Sequence, residues 1–301
     1  MTTEERPPVC DYEGSDYQVR FWDEGGREYE DRCEAIALQR LMPKSGHLLL
    51  ELGAGAGRNT PRYHGFERTI LLDYSRSQLR LAQEHLGQGD RYVYVAADIY
   101  RLPFVSGTFD TATMIRTLHH MSDAPAALCQ VREVLQPGAA FIMEYANKRN
   151  LKAILRYALH QQKWNPFDRE PIQFMPLNFD FHPKAVRGWL NEIGFRIEKS
   201  LAVSYFRIGL LKRTVPASLL AALDAIIQWS GVLGAFSPSV FLRARVAGQS
   251  INKPVPSNIV SIFKCPECGH APLEIAGHQI VCPACQRKWR IAEGIYDFRS
   301  A

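Results

Sequence analysis

No long apolar run opens the chain. The first residues, MTTEERPPVCDYEG, are polar and acidic, which argues against a secretory signal and for a cytoplasmic product. No charge of one sign dominates: 36 Lys and Arg stand against 31 Asp and Glu, and the formal balance of +5 selects no partner by itself. The compositional bias of a disordered or fibrous protein is also missing, because charged residues make up 22% and hydrophobic residues 46% of the 301 positions. Such a chain can bury a large core, and its length exceeds one ordinary domain without reaching two. A large domain with a small appendage is expected. The most apolar stretch, residues 215–236, is interrupted by Asp224 and Gln228, so it lacks the roughly 20 predominantly apolar residues of a membrane span.

What the chain does have is a cysteine pattern near its end, Cys265-x2-Cys268-x13-Cys282-x2-Cys285. Two Cys-x-x-Cys knuckles, each presenting two thiolates from a tight turn, can close a four-sulfur site around zinc. Disulfides are disfavoured by a cytoplasmic setting, and a redox pair needs no second copy. Four thiolates leave no open coordination position, so this metal has a structural role. A segment this short buries too little surface to fold unaided, and a metal offsets that deficit. Between the knuckles PLEIAGHQIVC reads as a hairpin turning at Gly277, and KWRIAEGIYDF supplies a further strand pair. Cys10, Cys33 and Cys129 have no partner motif and read as ordinary thiols.

Upstream, residues 47–52 (HLLLEL) run into Gly53-Ala54-Gly55-Ala56-Gly57. A buried strand leading into a glycine-rich turn opens a nucleotide-binding α/β unit, where the ligand approaches the backbone closely. The loop is G-x-G-x-G rather than G-x-G-x-x-G, and no Lys-Ser/Thr follows it, which excludes a P-loop. A second strand, residues 69–73, ends at Asp73, 18 positions after Gly55, where a carboxylate can grip two ribose hydroxyls. Strands are also expected at residues 92–97, delivering Asp98-Ile99, at 109–115, and at 139–145. An amphipathic helix over 184–193, a strand opening at 194–197 and another at 239–246 complete the pattern.

The ordered motifs ELGAGAG, LLDYS, AADI, FDTATMIRTLHH and VREVLQPG resemble those of the class I S-adenosylmethionine methyltransferases, and within them the broad family of the ubiquinone and menaquinone biosynthesis enzymes. The likeness is dense over residues 45–146. It implies an α/β fold with a seven-stranded Rossmann-like methyltransferase sheet, helical insertions at 147–181 and 205–238, and a small C-terminal β zinc ribbon. The implied division is an N-terminal helical cap segment (1–44), the methyltransferase domain (45–248), a linker (249–258) and the ribbon (259–301). It also implies S-adenosylmethionine as cofactor: Glu51, Gly53, Ala54, Gly55 and Gly57 along the methionine part, Asp73 on the ribose, Tyr74 beside the adenine, and Asp98 with Ile99 against the adenine ring. The tail resembles the zinc-ribbon family that includes the activator subunit of several RNA and protein methyltransferases, through its four cysteines, Leu273, residues 287–291 and residues 294–298.

Reaction with such a cofactor needs a positioned nucleophile and, where required, a base. His119 and His120 follow the fourth strand, where the family's substrate pocket begins; they are read as catalytic candidates, against local packing of one of the pair. Arg116-Thr117-Leu118-His119 stands where enzymes acting on exocyclic amines carry Asn/Asp-Pro-Pro-Tyr/Phe, which favours an oxygen, carbon or simple nitrogen nucleophile of a small molecule. An RNA or translation factor is the alternative acceptor, because residues 147–258 hold 16 basic and 6 acidic groups. Tyr17, Arg27 and Tyr29 are read either as a lid over the cofactor or as part of a plain packed helix. In residues 215–236, Leu219, Leu223, Ile226, Ile227 and Leu233 read as an apolar helical face, with Ala221, Asp224, Gln228 and Gly231 on the smaller polar side. A cap helix over the active site is the preferred reading, with peripheral docking on a membrane as the other.

Overall fold

The computed structural model describes residues 7–15, 25–232, 234–249 and 253–299. Its centre is a sheet in which β1 (Gly46–Leu52), β2 (Phe66–Asp73), β3 (Tyr92–Ala96), β4 (Phe109–Met114) and β5 (Leu135–Ala146) run parallel in the order β3-β2-β1-β4-β5. These strands are apolar on both faces because helices cover both faces. Leu48, Leu50 and Leu52 join one core with the buried side chains of α3 (Ala124–Val134) and α5 (Pro183–Glu192), while Leu49 joins another with α1 (Glu28–Leu41). Alternation along β1 therefore welds the two layers through one strand. The α2 helix (Arg76–Leu86) starts where the Ser75 hydroxyl accepts the Gln78 amide at 3.3 Å, and the Asp123 carboxylate caps α3 by accepting the Ala126 amide at 3.0 Å.

Beyond β5 the sheet continues with β9 (Ser239–Val246) and then β8 (Phe195–Val203). The β9 strand is antiparallel to both neighbours. The Rossmann-like methyltransferase sheet expected from the motifs is thus present. The insertion before α5 is only partly helical: after α4 (Leu151–Ala158) it folds into a hairpin of β6 (Ile172–Met175) and β7 (Asn178–Asp180). The insertion before β9 carries α6 (Gly209–Thr214) and α7 (Ala217–Ile227).

The apolar stretch is turned opposite to its hydrophobic pattern. The α7 helix buries Leu220, Ala221 and Asp224, and Gln228 just beyond it, while Leu219, Leu223, Ile226 and Ile227 face outward. Leu233 lies outside the described residues. The reversal has a local cause: Asp224 accepts from the Tyr29 hydroxyl at 2.9 Å and from the Ser204 and Tyr205 amides at 3.1 and 2.8 Å. Four buried polar groups satisfy one another there, and rotating the helix would strand all of them. No helix among the described residues is long and apolar enough to cross a membrane.

The tail extends the same sheet. Its strands β10 (Glu274–Ala276), β11 (Gln279–Val281), β12 (Lys288–Ala292) and β13 (Ile295–Asp297) form an antiparallel meander. The last strand pairs parallel with β3, Ile295 opposite Tyr94, giving eleven strands in one sheet. The β3 edge, otherwise a row of unpaired amides and carbonyls, is thereby closed. Phe263, fully buried, sits among Phe104, Tyr296 and Phe298 with ring centroids 5.0–5.8 Å apart. The Val105 amide donates to the Ile262 carbonyl at 2.8 Å and the Lys264 amide to that of Pro103 at 3.0 Å. Tail and main body therefore share one core. Phe263→Ala is expected to lower unfolding free energy by about 3–5 kcal/mol, whereas Ile275→Ala, at an exposed position of the same tail, should change it by about 0.5 kcal/mol or less. Denaturant melts check this, and an unchanged midpoint for Phe263→Ala would contradict the shared core.

Candidate functional site

The carboxyl ends of β1, β2 and β4 meet at a cleft, as crossover topology requires at the place where the strand order reverses. Gly53, Gly55 and Gly57 all take left-handed backbone, with φ of 68°, 53° and 76°. A Cβ added at Gly53 would sit 2.1 Å from the Thr117 hydroxyl, and one at Gly57 would sit 2.8 Å from Leu86 Cδ1; at Gly55 it would meet nothing within 4 Å. Two of the glycines let protein pack on protein, and the middle one bares its backbone to the cleft. The Asp73 carboxylate joins the two strand ends, accepting from the Gly55 amide at 2.8 Å and the Ser75 amide at 2.9 Å.

Glu51, Gly53, Ala54, Gly55, Asp73, Tyr74 and Ile99 line this cleft together with His120. Gly57 stands behind the loop, packed on α2. Asp98 stands behind Ile99, where it caps the turn of residues 99–101 by accepting the Tyr100 amide at 2.9 Å. The cleft is concave, apolar on one side and edged with a few polar groups, the form of a small-molecule site. Its outer wall comes from Val9, Cys10 and Tyr12. Of the segment read as a lid, Tyr17 lies outside the described residues, Arg27 pairs with Glu30 at 3.4 Å, and Tyr29 is buried against Asp224. Among the described residues the wall thus comes from earlier in the chain.

Behind the cleft, Glu34 of α1 is fully buried between Arg58 and Arg116. The Arg58 guanidinium donates to it at 2.8 Å and Arg116 Nε at 2.7 Å. The two cations outweigh the burial and hold the Glu34 carboxyl down at about 2. Arg116 itself has left-handed backbone, φ 59°, and its amide donates to Glu144 at 3.2 Å. Nothing in the hydrophobic pattern marks Glu34, since a single glutamate in an otherwise ordinary helix carries no motif.

The two histidines part company. His120 is buried, with Nδ1 2.9 Å from the Leu177 carbonyl and Nε2 3.2 Å from the Tyr12 hydroxyl. A carbonyl can only accept, so Nδ1 carries the proton and Nε2 accepts from Tyr12. His119 lies tilted beside it at 3.9 Å between centroids; its buried Nδ1 has no hydrogen-bond partner, and unlike His120 it does not line the cleft. Burial, with the neighbouring His120, Arg116 and Arg207 charges, pushes His119 well below the usual imidazole range and keeps it neutral. The β7 strand packs on this histidine turn and ends in Asp180, a carboxyl that burial and then Glu144 push up to about 7. Asp180 escaped notice in the sequence because it sits in the short NFDF run with no flanking motif.

At the far end of the sheet the four tail cysteines place their Sγ atoms within 4.8 Å of one another. Cys265 and Cys285 are 3.6 Å apart, as are Cys268 and Cys282, and the Cys268 amide donates to the Cys265 sulfur at 3.3 Å. A tetrahedral ion with arms of about 2.3 Å sets its sulfurs about 3.8 Å apart, so this set could hold one.

Within the cleft, Glu51 is buried and accepts from the Thr60 hydroxyl at 2.6 Å; burial nevertheless raises its carboxyl to about 7. A carboxyl whose folded value lies above its unfolded value favours the folded state while protonated, and that advantage is lost as pH rises through about 7. The ligand-free protein should therefore lose up to ~3 kcal/mol between pH 5 and 8 that Glu51→Gln retains. Melting curves of the two across that range check this, and parallel curves would contradict it.

Comparison with known proteins follows the same outline. The family described as "Methyltransferase domain" matches residues 50–143. An O-methyltransferase (resE) of Aspergillus sclerotiorum is 34% identical over 194 residues, covering 60% of this chain and 68% of that protein. Against several other curated relatives the chain spans only about half of their length or less. Two solved structures share the fold: a putative S-adenosylmethionine dependent methyltransferase from Listeria monocytogenes (TM-score 0.54, 15% identity, 74% of this chain and 99% of that one), and a chain from the complex between the Haloferax volcanii Trm112 methyltransferase activator and the putative methyltransferase (TM-score 0.52, 16% identity, 78% and 98%). By the matched domain and by the 34% identity to a relative of which more than two thirds is covered, this chain belongs to the S-adenosylmethionine-dependent methyltransferase family.

Proposed function

We propose that the chain transfers the methyl group of S-adenosylmethionine to an oxygen, carbon or nitrogen nucleophile of a small-molecule acceptor. The observation that carries this is the open backbone at Gly55 with Asp73 pinned beneath it: a Cβ-free approach next to a carboxylate suits a ligand that brings a ribose and an amino-acid end. Glu51, Gly53, Ala54 and Gly55 are the residues for the methionine part, Asp73 for the ribose hydroxyls, and Tyr74 and Ile99 for the adenine. Gly57 and Asp98 act as positioning residues, through loop packing and through the turn that presents Ile99. When bound, the cofactor supplies an electrophilic methyl on a sulfonium sulfur.

The chain's own task is then to hold the acceptor in line and take its proton where there is one to lose. His119 is assigned the second role on its neutral ring and its unpartnered, buried Nδ1, which sits beside the cleft-lining His120. His120, engaged at both nitrogens, ties the Tyr12 segment and the β6–β7 hairpin to the cleft, which is a positioning role. The four tail cysteines hold a structural zinc, which fixes the meander that closes the β3 edge.

A second reading, methylation of RNA or of a translation factor, is motivated by the four-cysteine tail and by the 16 basic against 6 acidic groups of residues 147–258. Here a four-cysteine tail is covalently joined and supplies a strand to β3 in cis, in place of a separate activator subunit.

Tritiated methyl transfer from S-adenosylmethionine into fractionated cell extract separates the readings. Label in an organic-soluble fraction that survives RNase and protease is expected, and RNase-sensitive label would reverse the order. His119→Ala should lower that label by about a hundredfold in a protein that still unfolds cooperatively; equal labelling would remove His119 from the chemistry. Elemental analysis should find one zinc per chain, and Cys282→Ser should lower the melting temperature; a metal-free protein of full stability would contradict the structural zinc.

A further inference from the structure

The insertions leave an apolar face that no described residue covers. On α4 only Ala153 is buried, and Leu151, Leu155 and the capping Leu159 form an outward row at i, i+4 and i+8, 52%, 53% and 65% exposed. On α7 Leu219, Leu223 and Ile226 point outward at 52%, 44% and 73%, while the helix is anchored from behind by Asp224 and Gln228. The hairpin tip and α6 add Met175 and Leu210. Large apolar side chains exposed in such rows usually mark a surface in use.

The chain leaves the sheet for these helices at the same end. The α4 helix follows the carboxyl end of β5, α6 follows that of β8, and α7 leads to the start of the antiparallel β9. The Leu151 amide donates to the Phe236 carbonyl at 2.8 Å, and the Arg149 guanidinium lies 5.4 Å over the Phe236 ring, joining α4 to the segment after α7. The cleft opens at the same end, since it is built on the carboxyl ends of the parallel strands.

The charge around these helices is mostly basic, with Glu170 exposed among the acids. The two insertions hold nine Lys and Arg against four Asp and Glu; of the acids, Asp224 is buried and Asp168 is taken by Lys148. Lys152 and Arg156 are exposed on α4, one position along from Leu151 and Leu155, and Arg213 is exposed at the end of α6. Aliphatic rows bordered by long basic side chains fit the boundary of an anionic bilayer, where the stems lie along the hydrocarbon and the charges meet lipid phosphates. Nucleic acid offers the charge without the hydrocarbon. We propose that this face docks the protein on an anionic lipid surface, with α4 and α7 lying in the headgroup boundary. The docking is independent of the acceptor's identity.

Flotation of the full chain with phosphatidylcholine vesicles, with and without phosphatidylserine, tests it at low and high salt. Co-migration with the anionic vesicles at low salt is expected, reduced about tenfold or more on neutral vesicles, in high salt, or in either Leu155→Glu/Ile226→Glu or Lys152→Glu/Arg156→Glu. Both double variants change exposed positions and should keep the wild-type melting temperature. Absence of the wild-type chain from anionic vesicles at low salt would overturn the proposal. It would also be overturned by a self-association in sedimentation equilibrium that Leu155→Glu/Ile226→Glu abolishes while vesicle binding persists, or by RNA binding lost in Lys152→Glu/Arg156→Glu without any vesicle binding.

Discussion

The hydrogen bond from the Gly55 amide to the Asp73 carboxylate fixes most of what the chain can do. It joins the loop after β1 to the end of β2 at 2.8 Å. The loop it ties down turns through three left-handed glycines, the middle one facing open space. Everything behind it serves to hold that loop. Thr117 fills the place a side chain at Gly53 would take, Leu86 does so at Gly57, and Glu34 draws Arg58 and Arg116 together from α1. Breaking a buried charge pair of this kind by removing one partner costs about 3–5 kcal/mol, so the arginine pair and the loop are coupled through α1.

The opposite edge of the sheet depends on a different constraint. A parallel strand at the border exposes an unpaired edge, and here the chain closes it with its own tail through the pairing of β13 with β3. The tail's independence as a unit is therefore limited. Its cysteines can close a local site, but Phe263, Tyr296 and Phe298 belong to the main core. The spacing of the knuckles was legible from the sequence because metal ligation demands it. The docking of β13 was not, since an edge pairing needs only backbone groups and a short apolar run, GIYDF, that would serve equally in an isolated hairpin.

The same division runs through the rest of the molecule. Continuous apolar runs ending in glycine or aspartate identified β1 and β2 and placed Asp73, because buried parallel strands leave few other choices. The α7 helix went the other way: a hydrophobic pattern predicts which face turns inward only if the apolar face meets the core, and here Asp224 satisfies three buried donors and turns Leu219, Leu223 and Ile226 outward. Glu34 and Asp180 were equally silent, because the groups that shift their ionisation come from distant parts of the chain. The wall formed by Val9, Cys10 and Tyr12 likewise depends on a long-range contact, Tyr12 with His120.

The Gly55–Asp73 cleft is the proposed site of the methyl donor. Isothermal titration of the full chain with S-adenosylhomocysteine measures this directly, before any acceptor is known. One site per chain is expected, with a loss of affinity of roughly 30-fold or more in Asp73→Ala, in a protein that still unfolds cooperatively. No heat of binding to the folded wild-type chain, or equal affinity in Asp73→Ala, would contradict it.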